Sequence, residues 1–303
     1  MAVSPTNGQL EYVHDNTTES SANTSSGLVA PGEIDLDTWM RIPSLLVALV
    51  GLVGNSIVLW LLGFRIQRNP FSVYILNLAG ADALFLCCSF LFSTHRFVNY
   101  LDYSFTEMLL NYAKYLFYTV GLSLLAAIST ERCLSVLFPI WYKCHRPKRT
   151  SAAVCAVLWA LASLLSVTSF GVSFYVCGQY LCCEFFIMEI VWLTLLTCVL
   201  CVSSLTLLQR VQCSSQRRQP PRLYLLVLLT VLVFLLCGLP MEISDFVSSF
   251  HEIVLPHWLP QLLACVNSSM NPFVYFFLGR ERYKRREPLR MVLQRALRDE
   301  QQL

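Results

Sequence analysis

Charge is scarce in this chain. Of its 303 residues only 14% are Asp, Glu, Lys or Arg, while 55% are hydrophobic. Soluble domains carry about a quarter charged residues. The apolar surface exceeds what one water-soluble domain of this length can bury, so water is not its main solvent. Also missing are a metal-ligand cluster, a glycine-rich phosphate loop and a nucleophile–base pair, so nothing supports an enzyme, and no nucleic-acid partner is expected. No apolar segment opens the sequence: residues 1–38 are polar and rich in Ser, Thr, Asn and Gly. A cleavable signal peptide is therefore not expected, and the first spanning helix directs insertion. Internal repeats with matching broken helices are absent as well. Their absence counts against the competing reading, a multi-spanning transporter or channel, whose ionisable residues would form a path across the midplane.

What the sequence does have is long hydrophobic runs. A bilayer core of about 30 Å needs about 20 apolar residues in a helix. Seven runs qualify, at about 43–64, 71–95, 107–138, 151–173, 186–209, 222–249 and 257–279. The connections between them are too short to fold independently, the longest outer one being 174–185. The expectation is an all-α membrane protein, a seven-transmembrane helix bundle with a short cytoplasmic amphipathic helix. Residues 1–40 form the N-terminal segment, expected to be disordered and glycosylated, residues 41–279 the bundle, and residues 280–303 the amphipathic helix and tail.

Basic residues set the orientation. Eighteen of the 22 Lys and Arg fall in four groups: Arg65 and Arg68; Lys143, Arg146, Lys148 and Arg149; Arg210, Arg217, Arg218 and Arg222; and eight from Arg280 to Arg298. All four lie on one side of a seven-helix alternation, so the positive-inside rule puts the N-terminus outside and the C-terminus in the cytoplasm of a multi-pass plasma membrane protein. The tail mixes Arg with Tyr283, Leu289, Met291, Val292, Leu293 and Leu297 at helical spacing, a pattern that suits a helix on the inner leaflet with membrane lipid as its partner. Pro288 keeps open the alternative of a disordered basic tail. Acceptor triplets at Asn16 and Asn23 fall in the outer N-terminal segment. Most of the thirteen cysteines sit within the helices, where a free thiol behaves as a small apolar group. Only Cys177, Cys182 and Cys183 fall near the oxidising face, and Cys177 is expected to join one of the other two.

Polar groups inside spanning helices are costly, so each asks for a reason. Gly54-Asn55 lies in the first run, Leu78-Ala79-Gly80-Ala81-Asp82 in the second, Glu131-Arg132-Cys133 ends the third, Trp159 sits in the fourth and Asn271-Pro272-Phe273-Val274-Tyr275 ends the seventh. In this order they resemble the signature of the rhodopsin-like G protein-coupled receptors. The stretches Leu62-Gly63-Phe64, 68–79, 129–137, Pro139-Ile140-Trp141-Tyr142-Lys143-Cys144-His145-Arg146-Pro147, 233–240 and 292–297 are similar to the Mas-related branch of those receptors.

The resemblance implies a cell-surface receptor for an extracellular small molecule or short peptide, coupled to a heterotrimeric G protein of the Gq or Gi type, with a role in nociception, itch or immune sensing. It assigns activation and coupling to Glu131, Arg132, Pro240, Asn271, Pro272 and Tyr275. Pairing with Glu131 is expected to hold Arg132 at rest. A second acid at the base of the sixth helix is usual, but residues 209–230 contain none. A sodium and water site is implied at Asp82, Asn55, Asn267 and Asn271, with Ser268 nearby; no other cofactor is expected. The alternative for Asp82 is a neutral acid, because desolvation disfavours its charge. Pro240 must kink the sixth helix, and Gly238 stands where most relatives have Trp. The third helix lacks the outer cysteine of most relatives, and the branch's bridge from helix four to helix five fits Cys177 with Cys182.

Six charges line the expected ligand surface: Glu107, Lys114, Glu184, Glu189, Glu242 and Asp245. Five acids against one base favour a cationic or zwitterionic ligand, with Lys114, Glu184, Glu189, Glu242 and Asp245 as its contacts and Lys114 either taking a ligand carboxylate or neutralised by Glu189 or Glu242. For Glu107, Glu184 and Asp245 the competing reading is a rim charge snorkelling to water.

Overall fold

In hydrocarbon the backbone has no water to bond and must satisfy its own N–H and C=O groups, so each apolar run becomes a helix. The computed structural model describes residues 39, 41–66, 69–98, 105–147, 149–175, 179–213, 222–248, 256, 258–279 and 288–298. Seven helices make the bundle. They are α1 (Arg41–Trp60, continued by a π-turn Leu61–Arg65), α2 (Pro70–Val98), α3 (Phe105–Leu137), α4 (Thr150–Tyr175) and α5 (Gln179–Cys213), then α6 (Arg222–Val233, a π-turn Phe234–Gly238, and Leu239–Ser248) and α7 (Trp258–Gly279). An eighth helix, α8, covers Leu289–Arg298, and a short unlabelled one, Pro139–Cys144, lies between α3 and α4.

Among the described residues, Arg41–Arg65, Pro70–Arg96, Phe105–Leu137, Thr150–Val172 and Ile187–Gln209 are each long and apolar enough to cross a membrane alone. α6 has a shorter apolar stretch, Leu225–Met241. α7 is diluted by Asn267, Ser268, Ser269 and Asn271, all of them buried. Large apolar side chains such as Leu46, Val53, Leu164, Val202 and Leu236 stay exposed, the composition of a surface that faces lipid.

α3 is the central helix, packed against α2, α4, α5 and α6. It therefore buries side chains on every face, in an unbroken run from Tyr118 to Ala126. α1 packs on α2 and α7. The start of α2 is capped in both directions: Ser72 N donates to Asn69 Oδ1 at 2.6 Å and Asn69 N to Ser72 Oγ at 2.8 Å, with Pro70 at the first helical position. Asn69 Nδ2 also donates to the carbonyl of Leu297 at 3.1 Å, which fastens α8 to this corner. α8 buries Val292, Leu293, Ala296 and Leu297 and exposes Leu289 and Met291, so the amphipathic reading of the tail holds over this stretch. Pro288 starts the helix, its carbonyl accepting from Met291 N and Val292 N.

Most boundaries fall within a few residues of the apolar runs. α5 is the exception. The connection expected over 174–185 is largely helical, since α4 runs to Tyr175 and α5 begins at Gln179. Hydropathy marks where a helix leaves the membrane and not where it ends; Gln, Leu and Glu are good helix formers that continue into water.

Candidate functional site

The basic end of the bundle is organised around Glu131. Its carboxylate receives three donors: the Arg146 guanidinium in an ion pair, the Tyr74 hydroxyl at 3.0 Å and the Tyr142 hydroxyl at 3.1 Å. Arg146 further donates to Ser151 Oγ at 2.6 Å. The connection after α3 is thereby pinned to α3, α2 and α4. Arg132 points elsewhere: it is 3% exposed, with its guanidinium carbon 4.0 Å from the centroid of the Phe71 ring. The carboxylate expected to hold Arg132 is thus claimed by Arg146, Tyr74 and Tyr142, and Arg132 lies against an aromatic face of α2. Arg146 had been read only as part of the basic loop and the two tyrosines only as parts of family strings. A carboxylate at the end of a spanning run, followed by a short loop rich in hydrogen-bond donors, was the available signal.

In the core, Asn271 Nδ2 donates to Asp82 Oδ2 at 2.7 Å, and the Ser268 hydroxyl bonds to the same side chain. Asn55 Nδ2 donates to the carbonyls of Gly51 at 3.0 Å and Ser268 at 3.1 Å. Asn55 Oδ1 is buried and no donor among the described residues reaches it, so it is an acceptor open to a cation or a water. On α3, a Cβ built at Gly121 would lie 3.8 Å from Asp82 Oδ1, so at this point α3 adds no side-chain oxygen to the cluster. Of the four residues expected at a sodium and water site, Asp82, Asn55 and Asn271 are joined through Ser268 across α1, α2 and α7, and Asn267 is buried on α7. Tyr275 is 1% exposed and its hydroxyl is buried without a hydrogen-bond partner among the described residues.

Pro240 lies just past the π-turn Phe234–Gly238, in line with a helix that cannot keep regular hydrogen bonding through proline. At Gly238 the chain passes close to Phe234, whose ring carbon would be 2.5 Å from an added Cβ. From α3 the Tyr118 hydroxyl donates to the Gly238 carbonyl at 2.9 Å. The place where relatives of rhodopsin carry Trp thus joins α6 directly to α3. Tyr118 was not foreseen, because nothing in its local sequence separates it from a core tyrosine.

At the other end, Lys114 is 4% exposed and its ammonium sits 3.9 Å from the centroid of Phe92. Glu189 is buried and accepts a hydrogen bond from Ser169 of α4. The side chains of Glu184, Glu242 and Asp245 lie outside the described residues, as do Cys177, the Cys182 side chain, Asn16 and Asn23. Glu107 corrects the rim reading: it is 1% exposed, 3.5 Å from Arg96 Nε and 3.4 Å from His95 Nδ1 of α2. A carboxylate snorkels only if no cation meets it below the surface; here Arg96 reaches in from the end of α2.

Comparison with known proteins agrees with this arrangement. The family described as 7 transmembrane receptor (rhodopsin family) matches residues 54–275. Mas-related G-protein coupled receptor member X2 of Rhinopithecus bieti is 48% identical over 273 residues, covering 84% of this chain and 82% of the relative. The same receptor of Macaca mulatta is 48% identical over 272 residues, and that of Homo sapiens 47% over 273, with the same coverage. The chain belongs to the rhodopsin family of seven-transmembrane receptors, in its Mas-related group.

Proposed function

We propose that this receptor resides in the plasma membrane with its N-terminus outside, and converts binding of an extracellular cationic or zwitterionic small molecule or short peptide into activation of a heterotrimeric G protein. The observation that carries the reading is the placement of Arg132, buried at the basic end of the central helix beside a pinned Glu131, while Lys114 and Glu189 lie buried toward the opposite end of the bundle. The positive-inside rule makes the basic end cytoplasmic. Glu131, Arg132, Pro240, Asn271, Pro272 and Tyr275 then serve activation and coupling. On the outer side we place glycans on Asn16 and Asn23 and a disulfide between Cys177 and Cys182. The test is a panel of amine metabolites and short basic peptides applied to cells expressing the chain. Ligand-evoked calcium release supports the reading; ion current or solute uptake without it overturns the reading.

The ligand contacts are Lys114, Glu184, Glu189, Glu242 and Asp245. An acidic mouth concentrates cations and strengthens charge-assisted hydrogen bonds to them. Such bonds are worth about 1.5–3 kcal/mol, so losing one weakens potency about tenfold or more. Glu189→Gln and Glu242→Gln are each expected to shift the dose response of an agonist from the panel to higher concentration, and Lys114→Met to do so only for an agonist with an acid group. Potency unchanged in all three would mean a neutral ligand.

We further propose a sodium ion with water at Asp82, Asn55, Asn267 and Asn271. Asn55 Oδ1, buried and unserved by donors among the described residues, fits the group. The ion would supply positive charge to the Asp82 carboxylate, while Asn271 and Ser268 orient that carboxylate by hydrogen bonding. Asp82→Asn is expected to remove the difference in agonist binding between sodium chloride and choline chloride; equal sodium sensitivity in both proteins leaves water alone or a neutral acid.

A further inference from the structure

A cavity of about 330 Å³ lies between α3, α4 and α5 at the basic end, within the range of about 300–1,000 Å³ typical of small-molecule sites. The receptor reading makes no use of it. Its walls are mainly aliphatic, with Leu134, Val154, Leu158, Leu196 and Val199, and the hydroxyls of Ser123, Thr130 and Thr150 among them already donate to backbone carbonyls. Its polar end is the cluster already described, Glu131 with Arg146, Tyr74 and Tyr142. Along α3 the lining runs from Ser123 to Leu134, which is roughly 16 Å at about 1.5 Å per residue, so the cavity is elongated. It opens sideways: Val199 is 40% exposed, and Val157 and Val202 on the same two helices are 56% and 65% exposed. The medium at that opening is lipid.

Three features define what fits. The long aliphatic wall suits a rigid apolar body. The charges at the polar end already neutralise each other, and a charged head group would have to part Glu131 from Arg146, leaving a buried charge without its partner. The carboxylate, held by cationic and phenolic donors, still has lone-pair capacity for one hydroxyl donor. A neutral amphiphile with a single hydroxyl meets all three conditions. We propose that a membrane sterol of the inner leaflet occupies this cavity, its hydroxyl donating to Glu131 and its ring system lying along α3 between α4 and α5. The proposal rests on the basic end facing the cytoplasm and not on G protein coupling, so it is tested without any signalling readout.

The experiment uses the full-length receptor purified into phosphatidylcholine vesicles and labelled with a photoreactive cholesterol analogue, with labelled peptides mapped by mass spectrometry. Label is expected on α3, α4 and α5 around Ala127, Val154 and Val199, and excess cholesterol should remove it. Epicholesterol, which differs only in the configuration of the hydroxyl, should compete about tenfold less well if one hydrogen bond sets its position. Ala127→Trp, which fills the cavity, should cut labelling at these positions about tenfold. If that variant does not fold, the competition series on the wild-type receptor decides alone. Label spread evenly over the lipid-facing helices, equal competition by the two sterols, or displacement by phosphatidylserine and not by cholesterol would overturn the proposal, the last pointing to an acyl chain of an anionic lipid.

Discussion

Arg132→Ala is expected to abolish agonist-evoked G protein activation while leaving the receptor at the cell surface. The asymmetry follows from what Arg132 touches. Its guanidinium lies over the Phe71 ring, a contact worth about 0.5–2 kcal/mol, and truncation to alanine removes the desolvated charge together with the contacts that it makes. The fold therefore loses little. The partner, in contrast, loses the one permanently charged, planar donor group that the end of α3 offers. Arg132→Lys, which keeps a positive charge without the fork of donors, should signal weakly. The measurement is G protein activation normalised to surface receptor counted with an antibody to an N-terminal tag. Undiminished signalling by Arg132→Ala would remove Arg132 from the coupling site.

Gly51→Val is expected to prevent accumulation of folded receptor. A Cβ at Gly51 would lie 2.0 Å from Ser269 Oγ, 2.7 Å from Ser269 Cβ and 2.8 Å from Leu86 Cδ1, closer than atoms can approach, and Ser269 has no length of side chain with which to yield. Overpacking of this kind costs about 1–3 kcal/mol even in a core that adjusts. Here the adjustment would part α1 from α7, where Ser269 Oγ donates to the Val47 carbonyl at 3.1 Å and Asn55 bridges Gly51 and Ser268. Close helix approach through small residues is what holds such a seam in a bilayer, where there is no hydrophobic force between helices. Gly63, around which an added Cβ meets nothing within 4 Å, is the control: Gly63→Ala should express normally. Combining Gly51→Ala with Ser269→Gly should recover part of the surface signal lost by Gly51→Ala alone. Normal expression and thermal stability of Gly51→Val would show that this seam is not needed for the fold.

The bundle was legible because the cost of bare backbone in lipid forces every apolar run into a helix, and the runs themselves are visible residue by residue. The seventh helix shows the limit: the run 257–279 is apolar enough to be read as spanning, but Asn267, Ser268, Ser269 and Asn271 dilute it. The core cluster of Asp82, Asn55 and Asn271 was legible because buried polar groups in a membrane have few places to go but each other. Partners across the bundle were not. Tyr74 and Glu131 are 57 positions apart, Tyr118 and Gly238 are 120 apart, and no local pattern records which faces of two helices meet. The same applies to Ser129, whose hydroxyl meets Ser203 and Ser204 of α5, three serines that looked like ordinary small residues in the sequence. Glu107 was misplaced for a related reason: its depth depends on Arg96, which belongs to another helix.

The join of α2 to α3 at Glu107 has a mechanical consequence. A disulfide is a bond of fixed length that no change of solvent lengthens, whereas the contact of Glu107 with Arg96 is held by opposite charge over 3.5 Å, with His95 Nδ1 beside it at 3.4 Å. Such a joint gives gradually, and it re-forms without an oxidant once it has opened. These two helix ends are hinged by electrostatics where a cystine would rivet them, and a reductant has nothing there to cut.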